Sequence, residues 1–297
     1  YKTCSGCYYL PKWNTYNPEV RDHHLKVARY WIEQGIDGWR LDVPYFVPTS
    51  FWRQFRHAVK DLGEELYIVA EEWREPEQWL RGDTADGTMN YSLRNLVLGF
   101  TADGTLDARQ FAEGMDQLAA RIPDGYHHGM LNLLGSHDTE RVLTRHGDDA
   151  DAALLAFTLM FASQGAPMIY YGDEIGMTGE NDPGCRAGMT WDTSRWVGNL
   201  YDGIRELGRL RRGTEALRRG SQVVRALDGD TVIVERVLGD ERVVVVVHRG
   251  EGVTVDPGAD AVFDGLLSGV TRVPAKGVLV LGASDASGPY AVQAVTS

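Results

Sequence analysis

Cysteine is scarce in this sequence, three in 297 residues, too few for a disulfide framework. Cys4-Ser5-Gly6-Cys7 has the spacing of a redox or zinc pair, but no second pair completes a tetrahedral site and no βαβ segment precedes it. Two reduced thiols in a loop are therefore expected there. Long apolar runs are also missing: no stretch of about 18 uninterrupted hydrophobic residues exists, so no membrane-spanning helix is expected. The opening residues Tyr1-Lys2-Thr3-Cys4 lack the basic and apolar segments of a signal peptide, which points to a cytoplasmic protein. Basic charge is in deficit as well. Thirty Lys and Arg against forty-two Asp and Glu give a net charge of -12, which disfavours a sequence-independent grip on phosphate backbones and argues against nucleic acid as a partner.

What is present is apolar material for one large core and one smaller one, with 43% hydrophobic and 10% aromatic residues. From Asn17 to Gln34 the pattern is helical. Asn17 can cap, Pro18 suits the first turn, and Val20, Val27, Ala28, Trp31 and Ile32 share a stripe. A short strand into Leu41 follows. The cycle repeats with a helix carrying Phe51, Trp52, Phe55, Val59 and Leu62, then the strand Leu66 to Ala70. Further strands are expected at Thr88 to Tyr91, Met130 to Leu134 and Met168 to Tyr171, separated by helices around Phe111 to Leu118 and Ala152 to Ala162. A helix with Val197, Leu200, Ile204, Leu207 and Leu210 closes the series. Helix alternating with strand is the signature of a parallel sheet. Beyond Leu217 the texture changes to short β-branched runs separated by Gly229-Asp230, Gly239-Asp240 and Pro257-Gly258, which predicts a small antiparallel β-sandwich over 218–283. Residues 284–297 are small and polar and read as a loose tail.

Acids recur where these strands end. Arg40 and Asp42 sit two residues apart, so on a strand they point the same way, and the cation favours an ionised carboxylate. Glu71, beside Glu72 and behind Ile68 and Val69, and Asp138 follow later strands. In parallel α/β barrels acids at strand carboxyl ends converge on one pocket, and glycoside cleavage needs a pair: one carboxylate to attack, one to deliver a proton. Burial could raise the second toward an acid's role. The plain alternatives are a structural ion pair for Arg40 with Asp42, and helix capping for Asp138 with Thr139.

Three segments carry a resemblance. Gly38-Trp39-Arg40-Leu41-Asp42-Val43, Ile68-Val69-Ala70-Glu71-Glu72-Trp73 and Leu134-Gly135-Ser136-His137-Asp138-Thr139 resemble ordered signature blocks of the α-amylase family of glycoside hydrolases. The flanks agree: Leu10-Pro11-Lys12-Trp13-Asn14-Thr15, Tyr171-Gly172-Asp173-Glu174-Ile175-Gly176, and Asp182-Pro183-Gly184-Cys185-Arg186 leading to Met189-Thr190-Trp191-Asp192 are similar to the neopullulanase, cyclomaltodextrinase and maltogenic amylase branch. The resemblance implies a retaining hydrolase of α-1,4 or α-1,6 glucosidic bonds in maltooligosaccharides, cyclodextrins, pullulan or starch. Asp42 would be the nucleophile, Glu71 the general acid/base and Asp138 the stabiliser of the distorted sugar. It selects Glu71 over Glu72, which strand alternation leaves open. Arg40 and His137 would contact the sugar at the cleavage point, and Asp182 and Arg186 would bind donor-side sugars. Trp73 is either an acceptor-side platform or a core tryptophan. Ala187-Gly188 departs from the usual Arg-Pro. Glu72, unusual after the acid, is a candidate for setting acceptor preference.

The family's earliest block, an Asp-x-Val-x-Asn-His segment, has no counterpart here. Five strands are visible where a closed barrel needs eight, so the expected fold is the carboxyl-terminal portion of a (β/α)8 barrel, strands four to eight over 1–217, followed by the sandwich. Its first and last strands would then present unpaired edges, and the isolated chain would be weakly active or inactive. No cofactor is required by this chemistry; calcium is implied only for a longer enzyme, as is homodimerisation. Three rivals stay open. Transglycosylation shares the same intermediate. A non-catalytic glucan-binding or assembly fragment would be expected to lack the three carboxylates retained here. A metal-dependent lyase would need a lysine or histidine base at a strand end, and no strand ends in lysine.

Overall fold

In the computed structural model, residues 1–256, 262, 266, 270–283 and 290–292 are described. The chain divides into two units, Tyr1–Asn90 with Arg121–Leu131, and Tyr91–Ala120 with Asn132–Ser297.

The first unit opens with a hairpin-like loop and helix α1 (Pro18–Glu33), whose Asn17 side chain accepts from the Glu19 N–H at 2.9 Å. An Asx cap with proline in the first turn satisfies the helix start, and Gly35 at φ 99° ends the helix. Strand β1 (Gly38–Leu41), helix α2 (Thr49–Lys60), β2 (Tyr67–Ala70) and β3 (Gly87–Thr88) follow. The three strands form a parallel sheet in the order β1-β2-β3. Gly38 opens β1 because any Cβ there would lie 2.0 Å from the Tyr67 carbonyl oxygen. The stripe Phe51, Trp52, Phe55 and Val59 buries against Leu41, Ile68 and Ala70, forming this unit's core. Among the described residues β1 is paired on one side only, by β2.

The expected strand Thr88 to Tyr91 splits. Its ladder ends at Thr88, Met89 makes a single parallel bridge to Leu131, and Tyr91 starts helix α3 (Tyr91–Thr101). Leu93, Val97 and Phe100 are buried at helical spacing, which outweighs the β propensity of the preceding residues.

Next along the chain come α4 (Ala108–Arg121), β4 (Leu131–Asn132), α5 (Val142–Arg145), α6 (Ala150–Ala162), β5 (Ala166–Pro167), α7 (Gly198–Gly213) and α8 (Glu215–Arg219). Strand β4 is shorter than Met130 to Leu134 suggested, and β5 lies just before the expected Met168 to Tyr171, none of whose residues is in a strand. Met168 N–H still donates to Asn132 O at 2.7 Å, but the chain then turns, with Asp173 N–H donating to Tyr170 O at 3.1 Å. Helix α6 is apolar on all sides and buried from Ala153 to Ala162. Its last carbonyls are met by two buried guanidinium groups: Arg236 Nη1 donates to Ala162 O at 2.7 Å, and Arg211 Nη1 to Phe161 O and to Ser163 O, the latter at 3.1 Å. Cations at a helix C-terminus satisfy its orphan acceptors.

Beyond α8 lie β6 (Ser221–Ala226), β7 (Thr231–Leu238), β8 (Glu241–His248), β9 (Gly252–Val255), β10 (Thr271–Pro274), β11 (Gly277–Ala283) and β12 (Tyr290–Val292). Five of them form an antiparallel sheet in the order β12-β11-β8-β7-β6, and β9 pairs with β10. Ile233, Val244, Val246, Leu279 and Leu281 of the larger sheet pack with Val255 and Val273 of the smaller. Of the expected tail, 290–292 form β12, and the rest lies outside the described residues. Among the described residues no helix is long and apolar enough to cross a membrane.

Candidate active site

In the first unit strand register sets the geometry. Arg40 pairs with Val69 and Leu41 with Ala70, and Glu71 N–H donates to Leu41 O at 3.0 Å. Asp42 and Glu71 therefore leave neighbouring strands at the same level. Arg40 serves both: Nη1 donates to Asp42 Oδ1, and Nη2 lies 2.8 Å from Glu71 Oε1. The second Glu71 oxygen accepts from Val43 N–H at 2.8 Å, and Trp73 Nε1 reaches Oε1 at 3.4 Å. Val43 makes its contact from φ 33°, a left-handed conformation that costs a β-branched residue about 1–3 kcal/mol.

The two carboxylates differ in solvation: the Asp42 side chain is 73% exposed and that of Glu71 4%. An accessible carboxylate can approach a ligand atom, while the enclosed one is held in place by its hydrogen bonds.

Glu72 faces a different set of groups. Its Oε1 accepts from Arg74 N–H at 2.9 Å, and its Oε2 from Gln78 Nε2 at 2.9 Å and Trp79 Nε1 at 2.7 Å. Glu72 braces the loop that follows β2, with both of its oxygens accepting hydrogen bonds from that loop. Trp73 is half-buried, with its indole nitrogen toward Glu71.

Tyr45, which the sequence did not mark, also faces this region. Burial raises its phenol above the ordinary value, and the charges of Glu71, Glu72 and Cys4 add to the shift. Its signal in sequence is only its place three residues after Asp42. A cavity of about 560 Å³ borders β1 and is lined by Arg40, Asp42, Trp13, Trp39, Phe51 and other largely apolar groups.

The second unit gathers four candidates. His137 Nε2 is 3.1 Å from Asp138 Oδ2, and Arg186 Nη2 is 3.2 Å from Asp138 Oδ1. Arg186 Nε donates to His137 O at 2.8 Å and lies 3.0 Å from Asp182 Oδ1. Asp138 caps no helix: its own N–H donates to Ser136 Oγ at 3.2 Å, and α5 starts only at Val142 behind Arg141. Ser136 N–H donates in turn to Thr139 Oγ1 at 3.0 Å.

Behind this loop lies a pair that the sequence reading did not single out. Arg141 and Asp173 are 0% and 1% exposed, with Nη1 to Oδ1 at 3.1 Å, and the Arg141 guanidinium stacks 4.5 Å and 4.6 Å from the rings of Tyr170 and Tyr171. Burial pushes the Asp173 carboxyl up to about 7, against the pull of Arg141. Gly135 is required here, since a Cβ would lie 2.1 Å from Asp173 Oδ2. The signal was present in sequence as an arginine directly before the apolar turn Val142-Leu143, but its partner lies 32 residues later. Tyr171 Oη donates to Ala187 O at 2.6 Å, tying down the loop where Ala187-Gly188 occurs. Among the described residues no group of three His, Cys, Asp or Glu side chains is placed to hold a metal ion.

The profile described as alpha amylase, catalytic domain, matches residues 4–209. Cyclomaltodextrinase of Geobacillus thermopakistaniensis is 42% identical over 243 residues, covering 81% of this chain and 41% of that protein. Neopullulanase 2 of Thermoactinomyces vulgaris is 42% identical over 249 residues, 83% of this chain and 43% of its own length. The chain thus spans about two fifths of each of these curated relatives. Among solved structures, the ligand-free cyclic α-maltosyl-(1→6)-maltose hydrolase from Arthrobacter globiformis superimposes with a TM-score of 0.93 at 61% identity, over 95% of this chain and 64% of that one. With a family match over more than half of its residues, the chain belongs to the alpha-amylase family of glycoside hydrolases.

Proposed function

We propose that this chain contributes the nucleophile and the proton donor of a retaining α-glucan hydrolase. The observation that carries the reading is the single Arg40 guanidinium holding Asp42 and Glu71. It keeps the two carboxyl groups close, as the roughly 5–5.5 Å spacing of retaining glycosidases requires. Asp42, exposed and beside a cation, attacks the anomeric carbon. Glu71 protonates the departing glycosidic oxygen and then takes a proton from the incoming water, so the anomeric configuration is restored. Asp138, held by Arg186, stabilises the distorted sugar, and His137 and Arg40 contact it. Trp73 offers an acceptor-side face, and Asp182 with Arg186 the donor side. In this reading β1 to β5 correspond to strands four to eight of the family's (β/α)8 barrel within 1–217, and 218–283 form an appended β-sandwich.

The substrate class follows from the relatives. Their names point to cyclodextrins, pullulan and cyclic maltosyl-maltose, hence to short or cyclic α-1,4 and α-1,6 glucans. The test is proton NMR of the first product released from maltotriose or cyclic maltosyl-maltose by the protein expressed at its full encoded length. Appearance of the α-anomer before mutarotation supports the reading; a β-anomer first, or full turnover by Asp42→Asn, overturns it.

A further inference from the structure

The Cys4–Cys7 pair is not used by the glucan chemistry, and its local geometry differs from that of an open loop. Cys7 N–H donates to Cys4 O at 2.9 Å, and the two central residues, Ser5 and Gly6, have φ of 50° and 78°. A four-residue turn with positive φ at both centres is of the I′ kind, the tightest connection between antiparallel strands. The turn sits inside a longer loop whose ends are paired: Thr3 bridges Pro11 antiparallel, Cys4 N–H donates to Leu10 O at 2.9 Å and Lys12 N–H to Lys2 O at 2.9 Å, while Leu10 N–H donates to Cys7 O at 3.0 Å. Such a turn holds its first and last Cα atoms within about 7 Å, which overlaps the roughly 4.4–6.8 Å window of a disulfide.

Both thiols are free and half-buried, so each is reachable by a small molecule. Cys185, the third cysteine, is buried, and its Sγ donates to His137 O at 3.3 Å. Tyr9 adds a polar partner: a hydrogen bond with the Cys7 side chain raises its phenol above the ordinary value. Cys4 lines the same cavity as Arg40 and Asp42, together with Tyr9, Leu10, Lys12 and Trp13 of the same loop.

We propose that Cys4 and Cys7 form a thiol–disulfide exchange site that takes a low-molecular-weight disulfide, such as glutathione disulfide, and closes to an intramolecular bond that fixes one wall of the Asp42 cavity. One cysteine thiolate attacks a glutathione sulfur, forming a mixed disulfide and releasing one glutathione thiolate. The second cysteine thiolate attacks the protein-bound sulfur, forming the Cys4–Cys7 bond and releasing the second. Two electrons pass from the cysteine pair to the glutathione pair, and the two thiol protons end on the released glutathiones. The site stands independently of the glucan reading.

The test equilibrates the folded protein with mixtures of oxidised and reduced glutathione, quenches, and alkylates after denaturation for mass spectrometry. Three alkylated cysteines are expected under reducing conditions and one, Cys185, under oxidising conditions, with the oxidised chain lighter by two hydrogens. Cys4→Ser and Cys7→Ser should each retain one glutathione. The folded chain should oxidise at a lower ratio of glutathione disulfide to glutathione than the chain unfolded in urea, because the turn is preformed. Chymotryptic cutting after Tyr8 and Tyr9 should slow in the oxidised protein but not in similarly treated Cys7→Ser. Three free thiols after oxidation, a bond to Cys185 or between chains, an unfolded chain that oxidises as readily, or unchanged cutting would overturn the proposal.

Discussion

Asp42 and Glu71 leave two paired strands side by side, whereas Asp138 lies in a loop whose shape comes from side chains. In the first unit the backbone ladder sets the level of both acids, and one arginine two residues upstream joins them. In the second, Asp138 is positioned by the Ser136 hydroxyl, by His137, and by Arg186 from a segment 48 residues later, over a buried Arg141–Asp173 pair. A site written into strand ends tolerates changes around it, because hydrogen bonds of the main chain define it. A site built from loop side chains depends on each partner.

The largest effect should come from the strand-end pair itself. Glu71→Gln is expected to lower kcat on unactivated α-glucans by about 10²–10⁴-fold, the usual contribution of a general acid. The loss should be much smaller on substrates whose leaving group needs no proton. Equal losses on both substrate types would remove the acid role and blur the contrast between the two units.

Next in size is the support beneath Asp138. Arg141→Met leaves a buried carboxyl without its cation and should destabilise the protein by about 3–5 kcal/mol in urea unfolding. A change of only a few tenths would show that the loop does not rest on this pair.

The same pair predicts a pH dependence. Asp173 holds its proton more tightly when folded, with a carboxyl at about 7 against an ordinary 3.8. Between these values the folded state binds more protons than the unfolded one, so this group's stabilisation is complete below about 4 and is lost as pH rises to about 7. Asp173→Asn should flatten that part of the stability curve. An unchanged slope would assign the dependence to other groups.

The smallest effect is expected at Arg186. It is half-exposed, so Arg186→Ala should alter stability by less than about 1 kcal/mol. It should lower kcat/KM about tenfold, the equivalent of roughly one charge-assisted hydrogen bond. A large stability loss with intact turnover would make Arg186 a structural group rather than part of the site.

Legibility in the sequence followed the same divide. The stripe Phe51, Trp52, Phe55 and Val59 specified α2, and the apolar run into Ala70 specified β2, because burial periodicity is local. Helix α3 was missed because Thr88 to Tyr91 carries β-favouring residues and the helical spacing begins just behind them. Arg40 and Asp42 could be read from a strand end, whereas the choice of Glu71 over Glu72 rested on the family resemblance. The role of Glu72 could not be read, since Gln78 and Trp79 reach it only after the loop folds back.

By itself the sequence determined the alternation of helices and strands, the change to β-branched strands beyond Leu217, and the residue types able to attack, protonate and stabilise. These depend on periodicity and on chemistry carried by single residues. Only the tertiary structure decided that Arg40 bridges both acids, that Glu71 is enclosed while Asp42 stays open, that Arg141 and Asp173 are buried together, and that a hydrogen-bonded turn joins Cys4 to Cys7. The physical reason is distance along the chain and shape in space. Hydrogen bonds and ion pairs between residues 28 to 48 apart, and the left-handed backbone of Val43 and Ser5, exist only once packing has placed those groups.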